Sequence, residues 1–523
     1  MFWEPRFTTG HDSVGRQASE AMSIKIDQEA LRGVVEKVMA DLGRPVVRTS
    51  DSQAGKKVDK GGQALSSGEC GCHSKPTAGP GHFGVFDCVN RAANAAHDSF
   101  LQLKSLGLEG RSRVIEIVKG VCGANTEDWG AFELEETGIG RLDHKIAKLA
   151  IMDKVPGVEW LRPYALSGDD GITLEEYAPF GVVGAILPVT HSVPTLTGNV
   201  INMVAAGNAV VFNPHPGGAK SAAMAAREYN RAIAQELGIE NLICVIENPT
   251  LESFEQISQH DLIAIMVITG GPAVVKAAMT SGKRAICAGP GNPVVVVDET
   301  ANLASAAECV IEGASFDNNL LCIGEKAVFV VESVYGEFMA SLERAGAGRL
   351  TSQQLDKLTG LAFTEKDDGG GCSHAVVNRD FVGASPSRLA DAAGASISDR
   401  CELLFAEADQ SHPYVQEEQM MPMVPIVPVT NFESAVEQAK VAEHGYRHSA
   451  IIHSTNVGNM THMGRQMDTT IFVKNGPCVA GLGLGGEGYL SYSVATTTGE
   501  GITTPKTFTR IRRCVMVENL RIV

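Results

Sequence analysis

Apolar and polar positions follow three successive patterns along this chain. Near the start, Leu31, Val34, Val35, Val38, Met39 and Leu42 recur at helical spacing, with Glu29, Arg32, Glu36 and Lys37 opposite. That spacing predicts an amphipathic helix. Asp27 stands as its N-cap, Ile26 and Leu31 take the two places of a hydrophobic staple, and Gly43 and Pro45 end it. Residues 46–82 lose the pattern and are rich in Gly, Ser and Lys, which predicts a flexible tether. From residue 83 the pattern is that of an α/β protein. Residues 86–104, 109–123 and 143–155 read as helices. Short Val/Ile-rich runs at 182–187, 209–212, 242–246, 262–268, 293–297 and 326–331 alternate with helical stretches such as 197–206, 218–237 and 252–258. Such alternation predicts parallel βαβ units. It occurs before and after about residue 290, so two α/β domains are expected. The last stretch, TFTRIRRCVMVENLRIV, alternates like an exposed strand. A strand of that kind adds to a neighbour's sheet, which points to a homo-oligomer, a dimer or a tetramer.

Composition narrows the class. The 523 residues carry a formal charge of −17, which disfavours nucleic acid as a partner of the bulk protein. Twelve scattered cysteines are too few for a disulfide scaffold and fit a reducing, cytoplasmic setting. The start lacks the apolar centre of a secretory signal. Residues 177–219 contain no Asp, Glu, Lys or Arg, yet their prolines and asparagines leave no room for a lipid-spanning helix. They read as buried strand, active-site loop, helix and strand.

Several short stretches could carry chemistry. In SFDNNLLC, residues 315–322, Cys322 is either a small core residue or a nucleophile held at a turn. Thr269-Gly270-Gly271 ends a buried strand and Pro272 opens a helix, whose free N–H groups can face a phosphate. Asn213-Pro214-His215 ends another strand and presents His215 rigidly between two prolines. A Gly-Pro-Gly-Asn-Pro turn at 289–293 invites close backbone approach. GLGLGGEG, 481–488, matches G-x-G-x-x-G but opens no βαβ unit, so it reads as a flexible turn near the active site. Cys70, Cys72 and His73 in the tether lack a partner pair, and no metal site is expected.

In this order, APFGVVGAILP, AAGNAVVFNPHP, VITGG, AGPGNPVVVVD, SFDNNLLC, EEQMMPMVPI and FTRIRRCVM resemble the aldehyde dehydrogenase superfamily over about 83–523. Within it the chain looks most like the CoA-acylating propionaldehyde dehydrogenases of bacterial microcompartments. The resemblance implies an aldehyde dehydrogenase-like fold: a Rossmann-like dinucleotide-binding domain (83–289), a catalytic domain (290–475), and a return segment with a small β oligomerisation element (476–523). The leading helix, 1–45, is similar to the encapsulation peptides that dock such enzymes on shell proteins, which implies the lumen of a microcompartment.

The same resemblance assigns roles. Cys322 matches the nucleophile, which would form a thioester from a short-chain aldehyde such as propionaldehyde. The family's second oxyanion donor is an Asn of the loop after the first strand. Here that loop reads Pro188-Val189-Thr190-His191, which leaves Thr190, His191 and Asn199 as candidates. The water-activating Glu of the hydrolytic enzymes matches Cys287, so a thiol such as CoA is expected to take the acyl group. Pro188, Asn213, Pro214, His215, Thr269, Gly270, Gly271, Ala288 and Glu418 match cofactor contacts, and NAD is the expected dinucleotide. Two other readings stay open: a phosphate-releasing glutamate-5-semialdehyde dehydrogenase, and a shell-associated scaffold without catalysis.

Overall fold

The computed structural model describes residues 82–367 and 373–523. The leading helix, the tether and the Cys70–Cys72–His73 group lie outside the described residues. Two parallel sheets organise the rest. The first has the order Val85–Phe86, Ile243–Ile246, Ala209–Pro214, Val182–Leu187, Ile263–Thr269, Arg284–Ala288. All five pairings are parallel. The chain starts its main run at Val182–Leu187, winds outward one way, then returns and winds the other way from Ile263–Thr269. The switch therefore falls between those two strands, where α/β sheets open a crevice at their carboxyl ends.

The second sheet has the order Gly348–Arg349, Leu404–Glu407, Met423–Val429, Ala327–Val331, Val294–Val297, Ser449–His453, Ile471–Lys474, again all parallel. An inner strand, Val294–Val297, is four buried valines, the composition of a strand covered on both faces.

The charge-free stretch 177–219 is the strand Val182–Leu187, a loop, the helix Ser192–Ala205 and the strand Ala209–Pro214. Every residue of that helix is buried, which explains the lack of charge. Two helices depart from the sequence expectation. Residues 143–155 form the helix Leu142–Ala150 and then a separate 3-10 turn, Met152–Lys154. A further helix, Thr126–Thr137, was not anticipated, because its buried side includes Gly130 and Glu133 rather than an apolar stripe.

The tail forms the strand Thr509–Val517. It pairs antiparallel with Gly171–Pro179 of its own chain, which pairs in turn with Tyr164–Gly168. Arg513 lies opposite Glu175 and donates to it from Nε at 2.8 Å. Ile511, Val515 and Val517 of this strand remain exposed. Among the described residues no helix is long and apolar enough to cross a membrane, and no group of three or more His, Cys, Asp or Glu is arranged for a metal ion.

Candidate active site

Four neighbouring strands of the first sheet end side by side, and they carry most of the candidate cofactor residues. Asn213 and Pro214 end one strand, Pro188 follows the next, Thr269 ends the third, and Ala288 ends the fourth. The Gly270 N–H donates to the Ala288 carbonyl at 3.2 Å, tying the last two ends together. Gly271 is the N-cap of the helix Pro272–Met279, with proline in its first turn. A β-carbon on Gly270 or Gly271 would meet nothing within 4 Å, so both face open space. An open helix N-terminus beside two bare glycines, at the switch point of a parallel sheet, fits the pyrophosphate of a dinucleotide.

The other strand-end residues are held by their own partners. Asn213 Oδ1 accepts from Ser253 Oγ at 2.6 Å. His215 Nδ1 accepts from the Gly217 N–H at 3.0 Å. The three candidates for the second oxyanion donor fall in different settings. Thr190 is half-buried at the mouth of the loop. His191 is buried near Tyr492, and burial followed by the Lys148 charge holds its imidazole neutral. Asn199 lies further along the buried helix. Its Oδ1 accepts from Ser493 Oγ at 3.1 Å, and Ser493 shares a 2.7 Å hydrogen bond with Thr269 Oγ1. Asn199 is thereby joined to the Thr269 side of the crevice.

The nucleophile candidate sits at a turn. Cys322 follows the short 3-10 segment Phe316–Asn319 and precedes the strand Ala327–Val331. It is half-buried while both neighbours are buried. Each of the two readings of this residue is thus partly realised, since the side chain packs on the core yet keeps an exposed side. Burial pushes the Cys322 thiol up to about 12, and the Glu418 charge adds to the rise. Lys326 and the N–H groups of Cys322 and Ile323 oppose it. In an open site the thiolate is therefore scarce, and it depends on these donors.

Glu418 lies ahead of the strand Met423–Val429 and accepts from the Gly291 N–H. Burial pushes its carboxyl up to about 7, against the opposing Lys326 charge. Lys326 is fully buried and donates to the Asn319 carbonyl at 2.8 Å. Cys287, expected to match the hydrolytic carboxylate, is a buried residue of Arg284–Ala288 whose N–H donates to Thr498 Oγ1 at 2.9 Å.

Sequence reasoning missed His448. It is fully buried, its Nδ1 shares a 2.8 Å hydrogen bond with Ser449 Oγ, and its Nε2 has no hydrogen-bond partner. Gly291 brings it to the backbone of Cys322: a β-carbon there would lie 2.8 Å from both the Cys322 carbonyl and His448 Cγ. Burial lowers the His448 pKa to about 4, so the ring is a neutral acceptor at physiological pH. The turn 481–488, expected near the active site, accepts from Lys154, whose Nζ donates to the Gly483 carbonyl.

Residues 85–362 match the aldehyde dehydrogenase family model. This chain belongs to the aldehyde dehydrogenase family. It is 42% identical over 452 residues to the acetylating acetaldehyde dehydrogenase EutE of Salmonella typhimurium, covering 86% of this chain and 96% of that protein. It is 42% identical over 442 residues to the CoA-propanoylating propanal dehydrogenase of Citrobacter freundii, covering 84% and 94%. The fold is similar to that of the Rhodopseudomonas palustris propionaldehyde dehydrogenase with bound propionyl-CoA, with a TM-score of 0.80, 41% identity, and 85% and 98% of the two chains covered. It is also similar to the propionaldehyde dehydrogenase of the Clostridium phytofermentans fucose-utilisation microcompartment, at TM-score 0.81 and 41% identity, with 84% and 100% covered. As an aldehyde dehydrogenase, the chain has the two parallel sheets expected of the family.

Proposed function

We propose that this aldehyde dehydrogenase is CoA-acylating and converts a short aliphatic aldehyde, such as propionaldehyde, with CoA and NAD⁺ to acyl-CoA and NADH. The observation that carries the reading is a half-buried Cys322 in a chain where a buried thiol, Cys287, matches the water-activating Glu of the hydrolytic enzymes. The names of the acylating relatives support it.

Cys322 gives up its thiol proton to solvent, its sulfur adds to the aldehyde carbon, and the Cys322 N–H with Thr190 as second donor stabilises the oxyanion. Bound NAD supplies the hydride acceptor. Thr269, Gly270, Gly271 and the first turn of Pro272–Met279 would hold its pyrophosphate, and Glu418 would contact its nicotinamide ribose. Loss of hydride from the former aldehyde carbon leaves a thioester on Cys322. No carboxylate at position 287 activates water, so the more nucleophilic CoA thiol attacks. The CoA sulfur bonds to the acyl carbon, the bond to Cys322 breaks, and His448 accepts the CoA thiol proton. Glu418 is the carboxylate whose charge acts on Cys322, and this favours a second reading in which Glu418 activates water and some thioester is hydrolysed. The ratio of acyl-CoA to free acid separates the two.

The leading segment, residues 1–45, serves as the docking segment for a microcompartment shell protein, and the exposed strand Thr509–Val517 serves in a homo-oligomer. The enzyme would then act in the compartment lumen. Mass spectrometry of enzyme quenched after mixing with propionaldehyde and NAD⁺, without CoA, tests the core of the reading. An acyl adduct on Cys322 is expected, and its absence overturns the assignment. Deletion of residues 1–45 should leave activity in solution and abolish co-purification with shells.

A further inference from the structure

Just ahead of Cys322 the backbone passes through three successive left-handed residues, Asp317, Asn318 and Asn319, at φ +50°, +53° and +65°. None is glycine, and left-handed backbone is strained for a residue with a β-carbon, less so for Asp and Asn than for others. Something must hold this turn, and much of the holding comes from residues 140–148, far away in sequence. The Arg141 N–H donates to Asp317 Oδ1 at 2.8 Å, and the Asp317 N–H donates to His144 Nδ1 at 2.7 Å. Lys148 Nζ pairs with Asp317 Oδ2 at 2.5 Å, with both side chains fully buried. Gly140, at φ +90°, lets its chain approach, since a β-carbon there would stand 2.2 Å from Asp317 Oδ1.

A buried ion pair adds little to stability compared with apolar residues of the same size. Its presence here is better explained by geometry. The same Lys148 Nζ also donates to the Thr190 carbonyl at 3.3 Å. Around it lie Glu133, whose Oε1 accepts from the Ser192 N–H at 2.7 Å, and Lys145. Two ammonium groups and two carboxylates thus meet beneath the Thr190–Ser192 turn.

We infer that Lys148 is a positioning residue: one ammonium ties the Asp317 turn that leads to Cys322 to the loop that carries Thr190, fixing nucleophile and oxyanion donor in a single register. This rests on the acylating reading above. Lys148 touches neither substrate nor cofactor, so its effect belongs in kcat and not in dinucleotide affinity.

The test compares Lys148→Met, Lys148→Arg and the double variant Lys148→Met/Asp317→Asn in the full chain. Readouts are kcat and KM for propionaldehyde, NADH binding by fluorescence, and thermal midpoint. Lys148→Met is expected to lower kcat about 100-fold, the usual scale for ångström misplacement, with NADH affinity within about twofold. Lys148→Arg is expected to recover at least about tenfold of that loss, because it keeps the charge and a donor. The double variant should be no slower than Lys148→Met, since the pair acts as a unit. If Lys148→Met does not fold, the double variant, which leaves no unpaired charge on that pair, decides: kcat near wild type overturns the inference. A folded Lys148→Met with kcat within about threefold of wild type also overturns it, as does a loss shared equally by NADH binding. If the wild-type enzyme yields acyl-CoA while these variants keep pace, the positioning role alone fails. If the wild type yields none, the acylating reading fails first.

Discussion

Cys322 and His448 meet across Gly291, with the carbonyl of one and the ring of the other each 2.8 Å from where a β-carbon would stand. Neither contact is the far end of a flexible chain, so one must move to admit even a methyl group. Gly291→Ala is expected to cost about 1–3 kcal/mol of stability through overpacking. Turnover should fall by more than tenfold, roughly, as the nucleophile shifts. Thermal melts and steady-state assays of the same sample check both.

The thiol of Cys322 titrates near 12 in the free enzyme because burial and Glu418 disfavour the thiolate. Below that value the thiolate fraction rises with pH, so iodoacetamide should alkylate Cys322 faster from pH 6 to 9 without a plateau. Glu418 ionises at about 7. Above that pH it adds a like charge and should flatten the rise. Glu418→Gln is expected to speed alkylation at pH 8 and to make the slope uniform.

Glu325 bears on stability. Burial pushes its carboxyl up to about 7, above the ordinary glutamate range, although its Oε1 accepts from the Cys478 N–H at 2.8 Å. Between about pH 4.3 and 7 the folded state holds a proton that the unfolded chain has released, so stability falls as pH rises through that window. Glu325→Gln mimics the protonated form. It should raise the thermal midpoint more at pH 8 than at pH 5.

His448→Asn tests the proton acceptor. The burst of NADH from the first acylation should persist, while CoA-dependent steady-state turnover falls by about 100-fold or more. Stopped-flow absorbance separates the two phases. An equal loss in both would place the ring in acylation instead.

Local signals in the chain were legible where chemistry and burial coincide. The valines at 294–297 and the Thr-Gly-Gly-Pro run at 269–272 announce a doubly covered strand and an open helix start, and both stand as expected. What could not be read depends on partners distant in sequence. Glu133 breaks the apolar face of its helix because it caps Ser192, 59 residues on. The Lys148–Asp317 pair spans 169 residues. His448 gave no signal before its strand, since only the fold brings it to Gly291. The tail's alternation announced a strand but not its neighbour, which lies 338 residues earlier at the Arg513–Glu175 pair.

That last separation has a consequence for synthesis. The segment Gly171–Pro179 emerges from the ribosome long before Thr509–Val517 exists. At ordinary rates of translation it waits roughly tens of seconds with one long hydrogen-bonding edge bare. A nascent chain stalled anywhere in between would carry an adhesive ribbon, and chaperone occupancy should peak over that interval.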